Sequence, residues 1–152
     1  MSSPAWPSLN TCSFNLMNIV DQLKRDEGVR LKPYRDSVGK LTIGIGRNLD
    51  DDGITEAEAS YLLLDDLQRT QDALYTALPW VKNLDEVRRS VILNMAFNMG
   101  TGRLVGFKMM LNYLQAGNWM LASQEMLRSL WAKEVGERAQ RLSTQLLSGT
   151  WQ

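Results

Sequence analysis

Three side chains within sixteen residues have the types and spacing that acid–base chemistry requires. Glu27 ends an amphipathic segment just before a glycine, while Asp36 and Thr42 lie at the end of one β-prone segment and inside the next. A carboxyl at a helix C-terminus faces the negative end of the helix dipole, which favours its neutral, proton-donating form. A more solvated carboxyl on a nearby hairpin stays ionised. Two carboxyls in such different environments are typical of an acid–base pair, as in glycoside hydrolysis.

The composition excludes several other kinds of catalytic or metal centre. The 152 residues include no histidine and one cysteine, Cys12. A Ser-His-Asp or Cys-His nucleophile system needs histidine, and a Cys/His structural zinc site needs four such ligands. A single cysteine cannot form an intrachain disulfide. Acid–base chemistry must therefore come from carboxylates, lysine or tyrosine.

Charge and hydropathy argue against nucleic-acid and membrane partners. Lysine plus arginine and aspartate plus glutamate each total 17, so the formal net charge is zero. This balance disfavours nonspecific nucleic-acid binding, which depends on neutralising phosphates. The sequence has no run of about 18 apolar residues, which predicts no membrane span. Residues 1–16 predict a flexible leader without a secretory signal.

The segments around the three polar residues predict a small sheet. Residues 17–26 place apolar side chains at helical spacing, and Gly28 supplies a helix stop. Two β-prone segments, 31–35 and 40–45, flank a Ser-Val-Gly turn and predict a hairpin. Asp36 would lie at the end of the first strand and Thr42 inside the second.

Helices are predicted for the rest of the chain. Thr55 and Glu58 form a capping box, which opens a long helix that runs to about Ala77 and is closed by Pro79. A helix of this length could join a small strand-bearing lobe to a larger helical one. Further helices are predicted at 84–99, 107–115, 118–130 and 136–147. The predicted fold class is α+β, with two or three strands early and an all-helical lobe after them.

Ordered motifs along residues 17–151 resemble those of a known enzyme family. They are DEGVRLKPYRD at 26–36, LTIGIG at 41–46, GIT at 53–55, LDEVRR at 84–89, NMAFNMG at 94–100, GF at 106–107, Trp131, RAQR at 138–141 and SGTW at 148–151. On these motifs the chain resembles the phage-type lysozymes (endolysins, glycoside hydrolase family 24), most closely those of T-even phages. The resemblance implies a lysozyme-like α+β fold: a small N-terminal lobe with a short antiparallel sheet, a long connecting helix and a larger all-helical C-terminal lobe.

The resemblance also implies a role for each matching residue. Glu27 matches the general acid, Asp36 the second carboxylate, and Thr42 the threonine that helps place the attacking water. The positions that match the substrate cleft are Gly46, Asn94, Phe97, Asn98 and Arg138. Of these, Arg138 matches the arginine that pairs with the catalytic glutamate. No metal or organic cofactor is implied.

The implied activity is inverting hydrolysis of the β-1,4 bond between N-acetylmuramic acid and N-acetylglucosamine in peptidoglycan. The expected protein is a monomer with one lysozyme-like domain at 17–152, divided into a sheet lobe at about 28–65 and a helical lobe at about 17–27 and 66–152. The family implies accumulation in the host bacterial cytoplasm until a holin opens the membrane, and then action on the peptidoglycan layer in the periplasm.

Three other functions stay open at this point. The chain could be a non-catalytic peptidoglycan-binding or scaffolding module, a lytic transglycosylase that leaves an anhydro product, or an enzyme that prefers uncrosslinked sugars such as chitin. Individual residues also have structural interpretations: Thr42 suits a strand by β-propensity, and Phe97 suits a core. Trp131 is expected to pack the helical lobe, and Arg88 and Arg89 to lie on a solvated face.

Arg47 departs from the family pattern. In the T-even phage enzyme that the chain resembles, a histidine stands at this position and pairs with an aspartate on the long helix that corresponds to Asp66 here. We therefore expect an Arg47–Asp66 ion pair. Because arginine stays protonated, this pair would persist above the pH at which a histidine loses its charge.

Overall fold

The computed structural model describes residues 16–152 and confirms the α+β class. Helix α1 (Leu16–Glu27) precedes a three-stranded antiparallel sheet in the order β1–β2–β3. The strands are β1 (Arg30–Arg35), β2 (Leu41–Gly44) and β3 (Arg47–Asn48). The sequence did not decide between two and three strands, and the structure has three in this part of the chain.

Every element after the sheet is helical. The elements are α2 (Glu56–Ala77), a 3-10 helix (Pro79–Asn83), α3 (Glu86–Met99), α4 (Thr101–Leu104), α5 (Lys108–Gln115), α6 (Trp119–Arg128), α7 (Leu130–Val135) and α8 (Glu137–Ser148). Across residues 16–152, none of the helices is both long and apolar enough to cross a lipid bilayer.

The chain divides into two compact units. The first contains the described residues up to Ala59, and the second is Ser60–Gln152. Helix α2 starts in the first unit and continues into the second. The predicted assignment of residues 17–27 to the helical lobe stays a prediction. Of the predicted leader only Leu16 is described, as the first residue of α1, and Cys12 lies outside the described residues.

The pairing of strand β1 with β2 is irregular around a proline. Arg30 pairs with Gly44 and Tyr34 pairs with Thr42, so the pairing register shifts between Arg30 and Tyr34. Pro33 lies in the shifted segment, and proline, which has no N–H to donate to a sheet ladder, is typical of such irregular positions. The pairing is regular again at the end of β1, where the chain enters the turn to β2.

The predicted capping box opens helix α2. The backbone N–H of Thr55 donates to Glu58 Oε2 at 2.8 Å, and the Glu58 N–H donates to Thr55 Oγ1 at 3.2 Å. These reciprocal bonds satisfy backbone donors that the first helical turn leaves free. The helix ends at Ala77, and Pro79 opens the 3-10 helix that follows. Both predicted ends of the long helix are confirmed.

The second unit has a continuous apolar core. Its fully buried large side chains are Trp131, Leu74, Ile92, Met95, Leu104, Met110, Leu114, Met126, Leu146, Val81 and Val91. Burial of each such side chain stabilises the folded state by about 1.5–3 kcal/mol. Trp131 is only 1% exposed, which confirms that it packs the helical part. The core packs α3, α7 and α8 together and so determines the positions of the polar residues on these helices.

The helix predicted over 118–130 is two helices. Ser129 has extended backbone angles (φ −71°, ψ 155°), which interrupt the helix between α6 and α7. Its hydroxyl accepts from the Ala132 N–H at 3.1 Å and donates to the Met126 carbonyl at 2.6 Å. Serine competes with helix continuation in this way by capping the next helix. The short helix α4 and strand β3 were also not predicted as separate elements.

Arg88 does not lie on the solvated face that the sequence predicts. Its side chain is only 14% exposed. Its Nε donates to the Leu146 carbonyl at 2.8 Å and its Nη2 to the Leu147 carbonyl at 3.1 Å, at the end of α8. The guanidinium also lies 4.4 Å from the ring centre of Trp119. Arg88 thus caps α8 and joins three helices.

Candidate active site

Glu27 is the last residue of α1, and its exposed side chain lies where the helix ends. Gly28 follows with a φ of +74°, a conformation that stops the helix. The carboxylate therefore lies at the negative end of the helix dipole, as predicted. Within residues 19–59, its oxygens accept no hydrogen bond and form no ion pair.

The turn between β2 and β3 brings Gly46 against Glu27. Gly46 has a φ of +78°, and a Cβ atom at this position would lie 3.5 Å from Glu27 Oε2. Glycine supplies both the left-handed backbone and the close approach here. Glu27, predicted to be catalytic, and Gly46, predicted to bind substrate, are thus neighbours in the structure.

Asp36 is the first residue of the turn between β1 and β2, and this turn holds its carboxylate. Oδ1 accepts from the backbone N–H of Val38 at 3.0 Å and of Lys40 at 2.9 Å. The Gly39 N–H donates to the Asp36 carbonyl at 3.0 Å and closes the turn. The side chain is half-buried, and within residues 19–59 no hydrogen bond is made to Oδ2. The carboxylate is therefore fixed through one oxygen and available through the other.

The two cationic residues beside Asp36 are engaged by other groups. Arg35 donates to the Gly39 carbonyl at 2.8 Å, and Lys40 Nζ lies 2.7 Å from Asp51 Oδ1. The hydrogen bond from Lys40 lowers the pKa of Asp51, and the same bond raises the pKa of Lys40. The direct partner of the Lys40 ammonium group is therefore Asp51, while the Asp36 charge also contributes to the raised pKa of Lys40.

Thr42 occupies the central strand of the sheet. It pairs with Tyr34 on β1 and with Asn48 on β3, and it is 3% exposed. Its hydroxyl donates to the Lys40 carbonyl at 3.2 Å, so its proton is used and its oxygen lone pairs stay available as acceptors. Its predicted role in holding a water stays a prediction.

Three predicted cleft residues of the second unit, Asn94, Phe97 and Asn98, lie on α3, and the fourth, Arg138, lies on α8. Arg138 on α8 donates from Nε and Nη2 to Asn94 Oδ1, at 3.0 and 2.7 Å. The indole Nε1 of Trp131 donates to Asn98 Oδ1 at 2.8 Å. Phe97, between the two asparagines, is 39% exposed and so is not a core residue. The predicted pairing of Arg138 with the catalytic glutamate stays a prediction.

The sequence did not identify Trp131 as a partner of a site residue. Its indole needs a hydrogen-bond acceptor when buried, and an exposed amide on another helix is a natural one. The available signal was the need for an acceptor, but the sequence gives no means of choosing Asn98, which lies 33 residues away.

Arg47 has a different partner from the one predicted. Its Nη2 lies 2.8 Å from Glu58 Oε1, and its Nη1 donates to Glu58 Oε2 at 3.3 Å. Asp66, the predicted partner, is paired with Arg69 one turn further along α2. Glu58, near the start of α2, binds the guanidinium, and this ion pair connects β3 to the capping box.

Comparison with known proteins gives one consistent result. Residues 24–145 match the family described as Phage lysozyme, a span that includes every predicted site residue. The chain is 31% identical to "Probable T4-type lysozyme 1" of Dictyostelium discoideum, over 88% of this chain and 95% of that protein. It is 34% identical to the endolysin of Salmonella phage P22, over 76% of this chain and 82% of that protein. It also matches the pre-baseplate central spike protein Gp5 of Enterobacteria phage T4, 31% identical over 88% of this chain and 28% of that longer protein.

Proposed function

Because this chain belongs to the phage lysozyme family and is a peptidoglycan glycosidase, we propose that it is an inverting muramidase. Its substrate bond is the β-1,4 linkage between N-acetylmuramic acid and N-acetylglucosamine. The observation that carries the proposal is the difference between two carboxylates of the first unit. The Glu27 carboxylate lies at a helix end and makes no hydrogen bond or ion pair within residues 19–59. The Asp36 carboxylate accepts two backbone hydrogen bonds of a turn through one oxygen.

These two carboxyls have complementary roles. Glu27, protonated, donates its proton to the glycosidic oxygen as the bond from that oxygen to C1 breaks. A water attacks C1 from the opposite face, and Asp36 holds this water through its free Oδ2 and takes its proton. The lone pairs of Thr42 accept a hydrogen bond from the same water. Attack from the opposite face inverts the configuration at C1.

The biological role follows the endolysin relatives. The endolysins of Salmonella phage P22 and Bacillus phage B103 are among the proteins that this chain resembles. The protein acts on the peptidoglycan layer during lysis of the host cell. We further propose that it works as a monomer and reaches this layer from the host cytoplasm when a holin opens the membrane.

The products of digestion test the proposal. Purified peptidoglycan is incubated with the protein, and the soluble fragments are examined by mass spectrometry and by proton NMR of the new reducing end. We expect hydrated fragments that end in N-acetylmuramic acid, with the inverted α-anomer formed first. Anhydro ends would instead indicate a lytic transglycosylase. Binding without any fragments would indicate a wall-binding module.

Cleavage of chitin oligomers in preference to peptidoglycan would contradict the proposed substrate. Both polymers contain N-acetylglucosamine, but only peptidoglycan contains N-acetylmuramic acid. Rates on matched lengths of the two polymers therefore separate the proposed muramidase from a chitinase-like enzyme.

A further inference from the structure

Two successive backbone N–H groups at the start of β2 donate to aspartate carboxylates on opposite sides of the strand. Lys40 donates to Asp36 Oδ1 at 2.9 Å on the side of β1, and Leu41 donates to Asp50 Oδ2 at 2.9 Å on the side of β3. In a regular antiparallel ladder, Leu41 would exchange two bonds with the backbone of Leu49. The Leu49 N–H does donate to the Leu41 carbonyl, at 2.7 Å. The Asp50 carboxylate therefore replaces the second ladder acceptor.

The peptide group between Lys40 and Leu41 connects Asp50 to two residues with proposed catalytic roles. This group is planar, so the N–H of Leu41 and the carbonyl of Lys40 rotate together. The Lys40 carbonyl accepts from the Thr42 hydroxyl at 3.2 Å and from the Asp36 N–H at 2.9 Å. Holding this plane through Asp50 therefore holds the acceptor of both the Thr42 hydroxyl and the Asp36 N–H.

Asp51 holds the side chain of Lys40 next to the same peptide group. Its Oδ1 lies 2.7 Å from Lys40 Nζ. Asp51 is itself held by Asn48 of β3, because its Oδ2 accepts from Asn48 Nδ2 at 2.8 Å and its N–H donates to Asn48 Oδ1 at 3.0 Å. Asn48 is the ladder partner of Thr42. The segment after β3 is thus fixed to the sheet at one end and binds both Lys40 and Leu41 at the other.

We propose that Asp50 and Asp51 are positioning residues for the reaction. Asp50 sets the plane of the peptide that carries the Lys40 carbonyl, and Asp51 holds the Lys40 side chain. Together they keep the Thr42 hydroxyl and the Asp36 carboxylate at a fixed separation, so that both bind the same water. The inference rests on the proposed function, because these two groups share a water only in the proposed reaction. Both aspartates act through β2 and not on the substrate.

Rescue by a conservative substitution tests Asp50. Release of reducing ends from soluble peptidoglycan strands gives kcat and KM. Asp50→Ala removes the acceptor of the Leu41 N–H, and we expect about tenfold lower kcat with KM within about twofold of wild type. Asp50→Asn keeps an oxygen that can accept this bond, and we expect its kcat within about threefold of wild type.

The matched control is Asp52→Ala in the same segment. Asp52 is exposed, and in the described part of the first unit no hydrogen bond reaches its side chain. We expect its kcat within about twofold of wild type, because surface substitutions of this kind have small effects.

A double-mutant cycle tests Asp51. Asp51→Ala and Lys40→Met remove opposite partners of one ion pair. We expect each substitution to lower kcat about threefold and the double variant to lower it no further. Losses that multiply would show that the two residues act independently and would overturn the positioning role of Asp51.

Urea denaturation and the activity of the wild type complete the test. Denaturation shows that each kcat refers to folded protein. Equal kcat for folded Asp50→Ala and Asp52→Ala would mean that Asp50 only stabilises its segment, so this inference would fail while the proposed function stands. Equal losses in Asp50→Ala and Asp50→Asn would also overturn it, because the acceptor would then not matter. If Asp50→Ala does not fold, the cycle of Lys40 and Asp51 decides. A wild type that releases no reducing ends overturns both proposals.

Discussion

The backbone of Gly46 lies directly against the carboxylate of Glu27. A Cβ atom at position 46 would be 3.5 Å from Glu27 Oε2, and the φ of Gly46 is +78°. The turn that joins β2 and β3 therefore forms one wall beside the proposed general acid. The two residues are nineteen positions apart in the chain, and the sheet brings them together.

Gly46→Ala should lower kcat in addition to the unfolding free energy. The left-handed backbone costs an alanine about 1–3 kcal/mol, and the new methyl group would touch the Glu27 carboxylate. Gly53→Ala is the matched control, since Gly53 also has a positive φ but no atom within 4 Å of its Cβ position. We expect similar losses of unfolding free energy in urea, but about tenfold lower kcat only for Gly46→Ala. Equal kcat in the two folded variants would refute a role for this contact.

Asp36→Asn should separate the charge of this side chain from its role in the turn. The amide oxygen can accept the same two hydrogen bonds from Val38 and Lys40, so the unfolding free energy should change by less than about 1 kcal/mol. Loss of the carboxylate should lower kcat by about 100-fold or more. Asp52→Asn, an exposed site in the same unit, provides the control and should keep its activity. A fully active Asp36→Asn enzyme would exclude Asp36 as the base.

The stability contributed by Glu58 should be lost at acid pH. Hydrogen bonds from the N–H and hydroxyl of Thr55, with the Arg47 charge, hold the pKa of Glu58 below its ordinary value of 4.5. The unfolded chain therefore binds this proton at a higher pH than the folded chain. The contribution is complete above 4.5 and declines as the pH falls through the lowered folded-state pKa.

Urea denaturation of wild type and Glu58→Gln at several pH values measures this effect. The difference in unfolding free energy should be constant between about pH 6 and 8 and should shrink below about pH 5. Glu56→Gln, in the same helical turn, is the control, because Glu56 makes none of these hydrogen bonds within residues 19–59. A difference that does not change with pH would contradict the assignment.

Arg88→Met should destabilise the second unit. The variant loses two charged hydrogen bonds to the end of α8 and the stacking on Trp119, at a cost of about 2–4 kcal/mol. Arg128→Met removes an exposed arginine with an ion pair one turn away and should cost less than about 1 kcal/mol. Thermal unfolding compares the two variants. Equal stabilities would mean that the capping contacts of Arg88 contribute little.

Local signals made part of this structure predictable. The capping box of Thr55 and Glu58 is encoded in four consecutive residues, and the end of α1 is encoded by Gly28 directly after Glu27. The turn that carries Asp36 is likewise set by the residues it contains. For such features the interacting groups are close in the chain, so their spacing defines their geometry.

Contacts between distant segments were not predictable. Arg88 and Arg89 are adjacent arginines that the sequence does not distinguish. Only the fold places Arg88 beside the carbonyls of Leu146 and Leu147, which are 58 and 59 residues away. The sequence predicted Asp66 as the partner of Arg47, but strand β3 places the guanidinium beside Glu58, which the sequence alone does not show. The roles of the site residues came from motif resemblance, because composition and spacing alone would suit many solvated carboxylates.

The rate of peptidoglycan clearing by Glu27→Gln tests the central claim most directly. The substitution keeps the size of the side chain and removes its acidic proton, while Asp21→Asn changes another exposed carboxyl on the same helix. We predict that Glu27→Gln clears at least about 100-fold more slowly than wild type with unchanged thermal stability, and that Asp21→Asn clears normally. A folded Glu27→Gln protein that clears peptidoglycan at the wild-type rate would contradict the account.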